Sequence, residues 1–253
     1  MKKKYYYLTA IISYLSLLIA TIPASTVIAL LDKNSPVTMQ GITGTLWHGK
    51  AYSIMIDDTV KLTDTEWSVT AWKIISGRLA MQIDTHYQKN NISGEIGASF
   101  LGRIFINELT AKISAADVSK LAAIPLAQLD GLISLDITHA EWKQGELPLA
   151  SGRIIWENAT VTVADTTSLG NVTITLGESE QQQLSADIQN QGGDIKISGS
   201  AELMAEADYA VDIKLLPTAS ANSNIKQSLG LFAQRTNNGE YILKKSGSLE
   251  QIM

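Results

Sequence analysis

The chain contains no cysteine. That absence removes thiol nucleophiles, thiolate metal sites and iron–sulfur clusters together, and it sets redox chemistry aside. An exported domain of this kind has no disulfides to lean on and must be held by its own apolar burial. Histidine is scarce as well. His48, His86 and His139 lie far apart, and none belongs to an H-x-x-x-H or H-E-x-x-H pair, so no metal centre is expected. The phosphate-binding G-x-x-x-x-G-K-[ST] and the dinucleotide fingerprint are both missing. Gly97-Ala98-Ser99-Phe100-Leu101-Gly102 falls short of a nucleophile elbow, because G-x-S-x-G needs its second glycine one position earlier and no strand-to-helix turn follows. Carboxylates are numerous, yet Asp84, Asp136 and Asp212 alternate with apolar residues as they do on a solvated sheet face. The sequence thus assigns no catalytic, cofactor-binding or metal-ligating residue, and the expectation is a protein that is not an enzyme, carries no cofactor and takes no small-molecule substrate.

Charge is missing from one long stretch. Nothing between Lys4 and Asp32 is ionisable in the ordinary range, and the centre reads Leu8, Ala10, Ile11, Ile12, Leu15, Leu17, Leu18, Ile19, Ile22. Roughly 23 apolar-dominated residues make a helix of about 35 Å, against a hydrocarbon core of roughly 30 Å. Residues 5–31 are therefore expected to cross a membrane once. Lys2, Lys3 and Lys4 before the run hold residues 1–4 in the cytoplasm, Tyr5, Tyr6 and Tyr7 fall where an interfacial aromatic belt belongs, and residues 32–253 lie on the far side. A cleaved signal peptide shares the basic start and apolar middle, here Leu8 to Ile22 with Pro23 at its end. No good small-x-small cleavage site follows, since Val27-Ile28-Ala29 sits inside a stretch that stays apolar through Leu31, so a retained anchor is the preferred reading.

Basic clusters are lacking beyond that point. Of 20 Lys and Arg, three are at positions 2–4, leaving 17 against 25 Asp and Glu, a net charge of −8 on the exported part. This sign disfavours nucleic acid and anionic lipid head groups as partners.

What remains is dominated by period two. Tyr52, Ile54 and Ile56 are expected on one face of a strand, and Leu79, Met81 and Ile83 on one face of another. The alternation recurs at Ile133, Leu135, Ile137, at Val161 and Val163, at Val172, Ile174, Leu176, at Ile195 and Ile197, and most cleanly at Tyr209, Val211, Ile213, Leu215. Several strands open on glycine, any residue, then an aliphatic or aromatic residue: Gly44, Gly77, Gly94, Gly152, Gly239 and Gly247 each begin such a triplet. Glycine supplies the positive φ or the close backbone approach of a hairpin turn or bulge, so the pattern describes an antiparallel meander. Its intervals are irregular, which rules against a solenoid of fixed repeats. Two segments break the alternation: Ser114–Leu126, with Asp117 as N-cap, Val118, Leu121 and Ala122 at helical spacing and Pro125 as its stop, and Asn222–Gln234, with Ile225, Leu229 and Phe232 on one face. The five tryptophans, Trp47, Trp67, Trp72, Trp142 and Trp156, are read as core. The expected fold is mainly β: one transmembrane helix, then an extended, curled antiparallel sheet with two short helices as covers.

Immediately after the helix comes Gly41-Ile42-Thr43-Gly44-Thr45-Leu46-Trp47-His48-Gly49. This resembles the G-T-L-W-x-G signature of the general secretion pathway protein N family, the N component of bacterial type II secretion systems. Trp67 and Trp72 leading into Gly77-Arg78-Leu79, then Gly152-Arg153-Ile154-Ile155-Trp156, Leu169-Gly170, Leu229-Gly230 and Gly239-Glu240-Tyr241 are similar to later elements of that family in the same order. The resemblance implies a single-pass inner-membrane accessory protein, its bulk in the periplasm, that helps export folded proteins across the outer membrane and contacts other subunits of the machinery. It carries over no active site. The meander is also similar to periplasmic proteins of the AsmA type, half-barrels whose apolar groove carries lipid. The two readings part on where Tyr209, Val211, Ile213 and Leu215 face: an open trough favours lipid transfer, a covered face favours a protein-interaction scaffold.

Overall fold

A computed structural model describes residues 2–28, 35–57, 59–121, 127–163, 165–179, 183–204, 208–221, 223–230 and 233–248. It divides into two compact units, residues 1–100 and 101–253. Both are mainly β and wholly antiparallel.

The first unit begins with α1 (Lys2–Ala20) and α2 (Ala24–Ile28), followed by β1 (Val37–Gln40), β2 (Thr43–Gly44), β3 (His48–Ile56), β4 (Val60–Val69), α3 (Ala71–Ile75), β5 (Arg78–Tyr87) and β6 (Asn90–Ser99). The expected helix over 5–31 is therefore broken. Pro23 has no N–H to continue the ladder and instead bridges to Thr45, while the Thr21 hydroxyl donates to the carbonyls of Leu17 and Leu18 as α1 runs out. Residues 29–31 lie outside the described residues. None of the helices among the described residues is long and apolar enough to cross a membrane. β1 and β2 pair with successive parts of β3, which pairs with β4, β4 with β5 and β5 with β6.

Leu79, Met81 and Ile83 do share a face, set opposite Ala98, Ile96 and Gly94 across the ladder. In β3 the expectation fails. Tyr52 is exposed, and Gly49, Ala51 and Ser53 are the buried alternation, joined by Ile54. Small side chains fill that face, and hydropathy does not flag them. Thr65 and Thr85 belong to the same face, and their hydroxyls meet at 2.7 Å where neither reaches water.

The second unit contains β7 (Arg103–Ser114), α4 (Ala115–Leu121), β8 (Gln128–Lys143), β9 (Leu149–Thr162), β10 (Thr166–Glu178), β11 (Leu184–Gln191), β12 (Ile195–Leu203), β13 (Asp208–Pro217), α5 (Ser223–Leu229), β14 (Gln234–Arg235) and β15 (Tyr241–Ser248). Each strand from β7 to β13 pairs with the next, β13 pairs with β15, and β15 with β14, so this sheet is an open meander. Val163 falls just past β9 and is exposed. α4 starts two residues before the expected cap, which puts Asp117 inside its first turn, and Ala122 and Pro125 lie outside the described residues.

The tightest core of this unit lies under α5. Ile225 and Leu229 pack with Ile195, Leu215 and Tyr241, with Ile213 and Leu169 at the margin. The Tyr241 hydroxyl donates to the Lys226 carbonyl at 3.1 Å and fixes the helix on the sheet. Phe232, the third residue of the expected stripe, lies outside the described residues.

Candidate functional site

The signature residues Gly44, Thr45, Leu46, Trp47 and Gly49 fall in one turn, 44–49, where β2 passes into β3. Gly44 adopts φ +85°, and a Cβ there would come within 2.5 Å of the His48 carbonyl, so the turn closes only on glycine. The Thr45 N–H donates to that same carbonyl at 2.8 Å. With the turn closed, the backbone between Thr45 and Trp47 faces the end of α1. The Leu46 N–H donates to the Ile22 carbonyl at 2.9 Å, Thr45 bridges Pro23, and the Trp47 indole N–H donates to the Ile19 carbonyl at 2.8 Å.

Those carbonyls belong to the last turn of α1 and the residues after it, where helix carbonyls lose their N–H partners four residues on; Ile19 otherwise receives the Ile22 N–H, at 3.4 Å. A second tryptophan holds the turn from behind. Trp67 in β4 donates its N–H to the Leu46 carbonyl at 3.1 Å, and its ring lies so close over Gly49 that a Cβ at that position would overlap it. Gly44, Thr45, Leu46, Trp47 and Gly49 thus form a seat into which the end of the N-terminal helix is fastened, and Trp67 is its brace. All of it lies within the first unit.

Beside the seat is an open cavity of about 440 Å³, with Thr43, His48, Lys50, Glu66 and Gln82 on its walls. Lys50 and Glu66 pair with each other across it, both largely exposed. Ser68 and Asp84 line it as well, with Ser68 directly opposite His48 in the β3–β4 ladder.

His48 lies in β3, His86 in β5 and His139 in β8, where its Nδ1 lies 2.6 Å from Asn107 Oδ1. No group of three metal-ligating side chains comes together among the described residues. Ser99, the serine of the rejected elbow, ends β6 opposite Arg78. The tryptophans are corrected as a class: none of the five is buried, and Trp72 and Trp142 are exposed. A single-layered sheet has too little depth to enclose an indole, so Trp47, Trp67 and Trp156 keep one side in solvent and use their N–H groups on backbone carbonyls, Trp156 on Asp130 at 2.9 Å. Reading Trp47 as core missed its bond to the helix.

Glu146, in the turn after β8, has its carboxyl held below the usual range by a hydrogen bond from Lys143, with the charges of Lys143 and Arg103 adding to it and partial desolvation opposing.

A family model described as type II secretion system (T2SS), protein N, matches residues 35–244. No curated protein and no solved structure matches the chain.

Proposed function

The chain belongs to the type II secretion system protein N family, and on that premise we propose that it is a non-enzymatic accessory subunit, anchored by α1 in the inner membrane with its first residues in the cytoplasm and its β-units in the periplasm, which helps assemble or position the export machinery. The observation that carries the anchor is the state of α1. Every side chain from Tyr5 to Ala20 is exposed, and all are uncharged. An uncharged, largely apolar helix with its side chains exposed among the described residues suits an apolar medium. Its uncharged part, about 24 Å long, is shorter than a hydrocarbon core of roughly 30 Å, a mismatch that local thinning of the bilayer takes up.

The adaptor role is supported by an unpaired strand edge. Among the described residues β1 pairs only with β3, and Val37-Thr38-Met39-Gln40 presents its outer edge without a charge to blunt it. An extended segment of another subunit adds to such an edge by main-chain hydrogen bonding. The lipid-carrying alternative is less well supported, because α5 covers Leu215 and the margin at Ile213, closing part of the face that a trough would need open.

A photo-crosslinking side chain at Thr38 of the full chain, in cells making the whole secretion machinery, tests the reading. Adducts with other machinery subunits are expected. Adducts confined to phospholipid would move the assignment to lipid transport.

A further inference from the structure

The end of the first unit that holds α1 also displays large apolar side chains that nothing in that unit covers. We propose that α3 and the β6 end, through Trp72, Ile75 and Phe100, form a second membrane contact that lies in the periplasmic interface of the bilayer beside the exit of α1. This rests on the anchor reading above.

The placement follows from hydrogen bonds. The Trp47 N–H is bonded to the last turn of α1, and the Trp47 carbonyl accepts the Val69 N–H at 2.7 Å, the last residue of β4. The Thr70 N–H then donates to Ala80 at 2.9 Å and α3 begins at the next residue. Phe100 is tied to the same end, its N–H donating to the Gly77 carbonyl at 2.9 Å, just after α3. If Ile19 sits where the helix leaves the bilayer, α3 is at the surface of that bilayer.

Exposure is extreme at these positions: Trp72 is 67%, Ile75 91% and Phe100 72% open. Clustered apolar side chains of this size on a soluble face mark an interaction surface, and a tryptophan beside aliphatic and phenyl groups suits the water–lipid boundary. The chemistry also states which lipid property matters. Lys73, the cation within α3, lies 5.8 Å from the Trp72 ring and is paired with Glu95 at 2.5 Å. Its charge is spent inside the protein, so the contact is driven by apolar burial and does not require anionic head groups.

The absence of native cysteine permits single labels. Ile75→Cys, Phe100→Cys, Ile12→Cys in α1 and Thr59→Cys in the turn at the far end of β3 and β4 are each labelled with an environment-sensitive fluorophore, in the full chain reconstituted into phosphatidylcholine vesicles. Labels at 75 and 100 should be blue-shifted, quenched by a nitroxide near the head group and shielded from iodide. Position 12 should respond to a nitroxide deep in the acyl chains, and position 59 to iodide alone. Iodide quenching at both 75 and 100 with position 12 in lipid overturns the second contact and leaves the anchor standing. An aqueous position 12 with 75 and 100 in lipid sinks the anchor and keeps the contact, whereas all four in water sinks both. Shielding of 75 and 100 without nitroxide quenching would assign the patch to protein, and a blue shift seen only with anionic lipid would contradict burial as the driving force.

Discussion

The indole N–H of Trp47 reaches back 28 residues to the main-chain carbonyl of Ile19, at 2.8 Å. It joins the signature turn to the last turn of α1, and through that turn ties β3 to the helix. Replacing Trp47 by Phe keeps a ring and removes the donor. The loss of one such bond costs about 1 kcal/mol, and the expected result is a matching loss in chemical denaturation, with faster proteolysis at Thr21–Pro23 while the strands stay protected. Unchanged cleavage there would mean the bond does not hold the helix.

Thr65 and Thr85 share one buried hydrogen bond, and Thr85 also lies 3.3 Å from the Thr63 carbonyl. Thr85→Val leaves the Thr65 hydroxyl without its partner, at about 1–3 kcal/mol, whereas Thr65→Val leaves Thr85 its bond to the Thr63 carbonyl. The double variant should cost less than the sum of the two, since it removes the orphan along with the bond. A double-mutant cycle by urea unfolding reads the difference, and strict additivity would show that water reaches the pair.

Leu229 is buried in the patch between α5 and the sheet. Leu229→Ala should destabilise the second unit by about 2–5 kcal/mol. Because α5 is what closes the face of β13 near Leu215, the variant should also bind more of an apolar dye at low temperature, before global unfolding. Loss of stability without dye binding would mean that the helix stays seated.

Glu146 carries the one pH prediction. Its carboxyl is depressed in the folded chain, so its contribution is fully present above the ordinary glutamate pKa and disappears as pH falls through the lowered folded value. Glu146→Gln should lower the thermal midpoint slightly at neutral pH, and the two curves should converge in acid. A gap that widens in acid would reverse the assignment.

The antiparallel meander was legible from alternation alone, as at Tyr209, Val211, Ile213 and Leu215, all in β13. The glycine triplets marked real features by more than one device. Gly77, Gly152 and Gly239 take positive φ, but Gly247 sits inside β15 with the Tyr209 ring over it. Side-chain burial was much less legible. A thin sheet buries alanine, serine and threonine at Ala51, Ser53 and Thr65, and leaves Tyr52 and Trp72 in the open, the reverse of what hydropathy ranks. The helix end was misjudged although Pro23 marks it locally; what no local pattern shows is the bridge from Pro23 to Thr45, 22 positions on. The seat for α1 was visible as a motif but not as a contact.

Fractionation with accessibility labelling is the most direct test of the tethered arrangement. The full chain with Thr59→Cys, made in a bacterium with its native N-terminus, should stay in the membrane pellet through an alkaline carbonate wash, begin at its first residues by N-terminal sequencing, and react with an impermeant maleimide in spheroplasts without lysis. Recovery as a free periplasmic protein beginning beyond Pro23, or labelling at position 59 only after lysis, would contradict it.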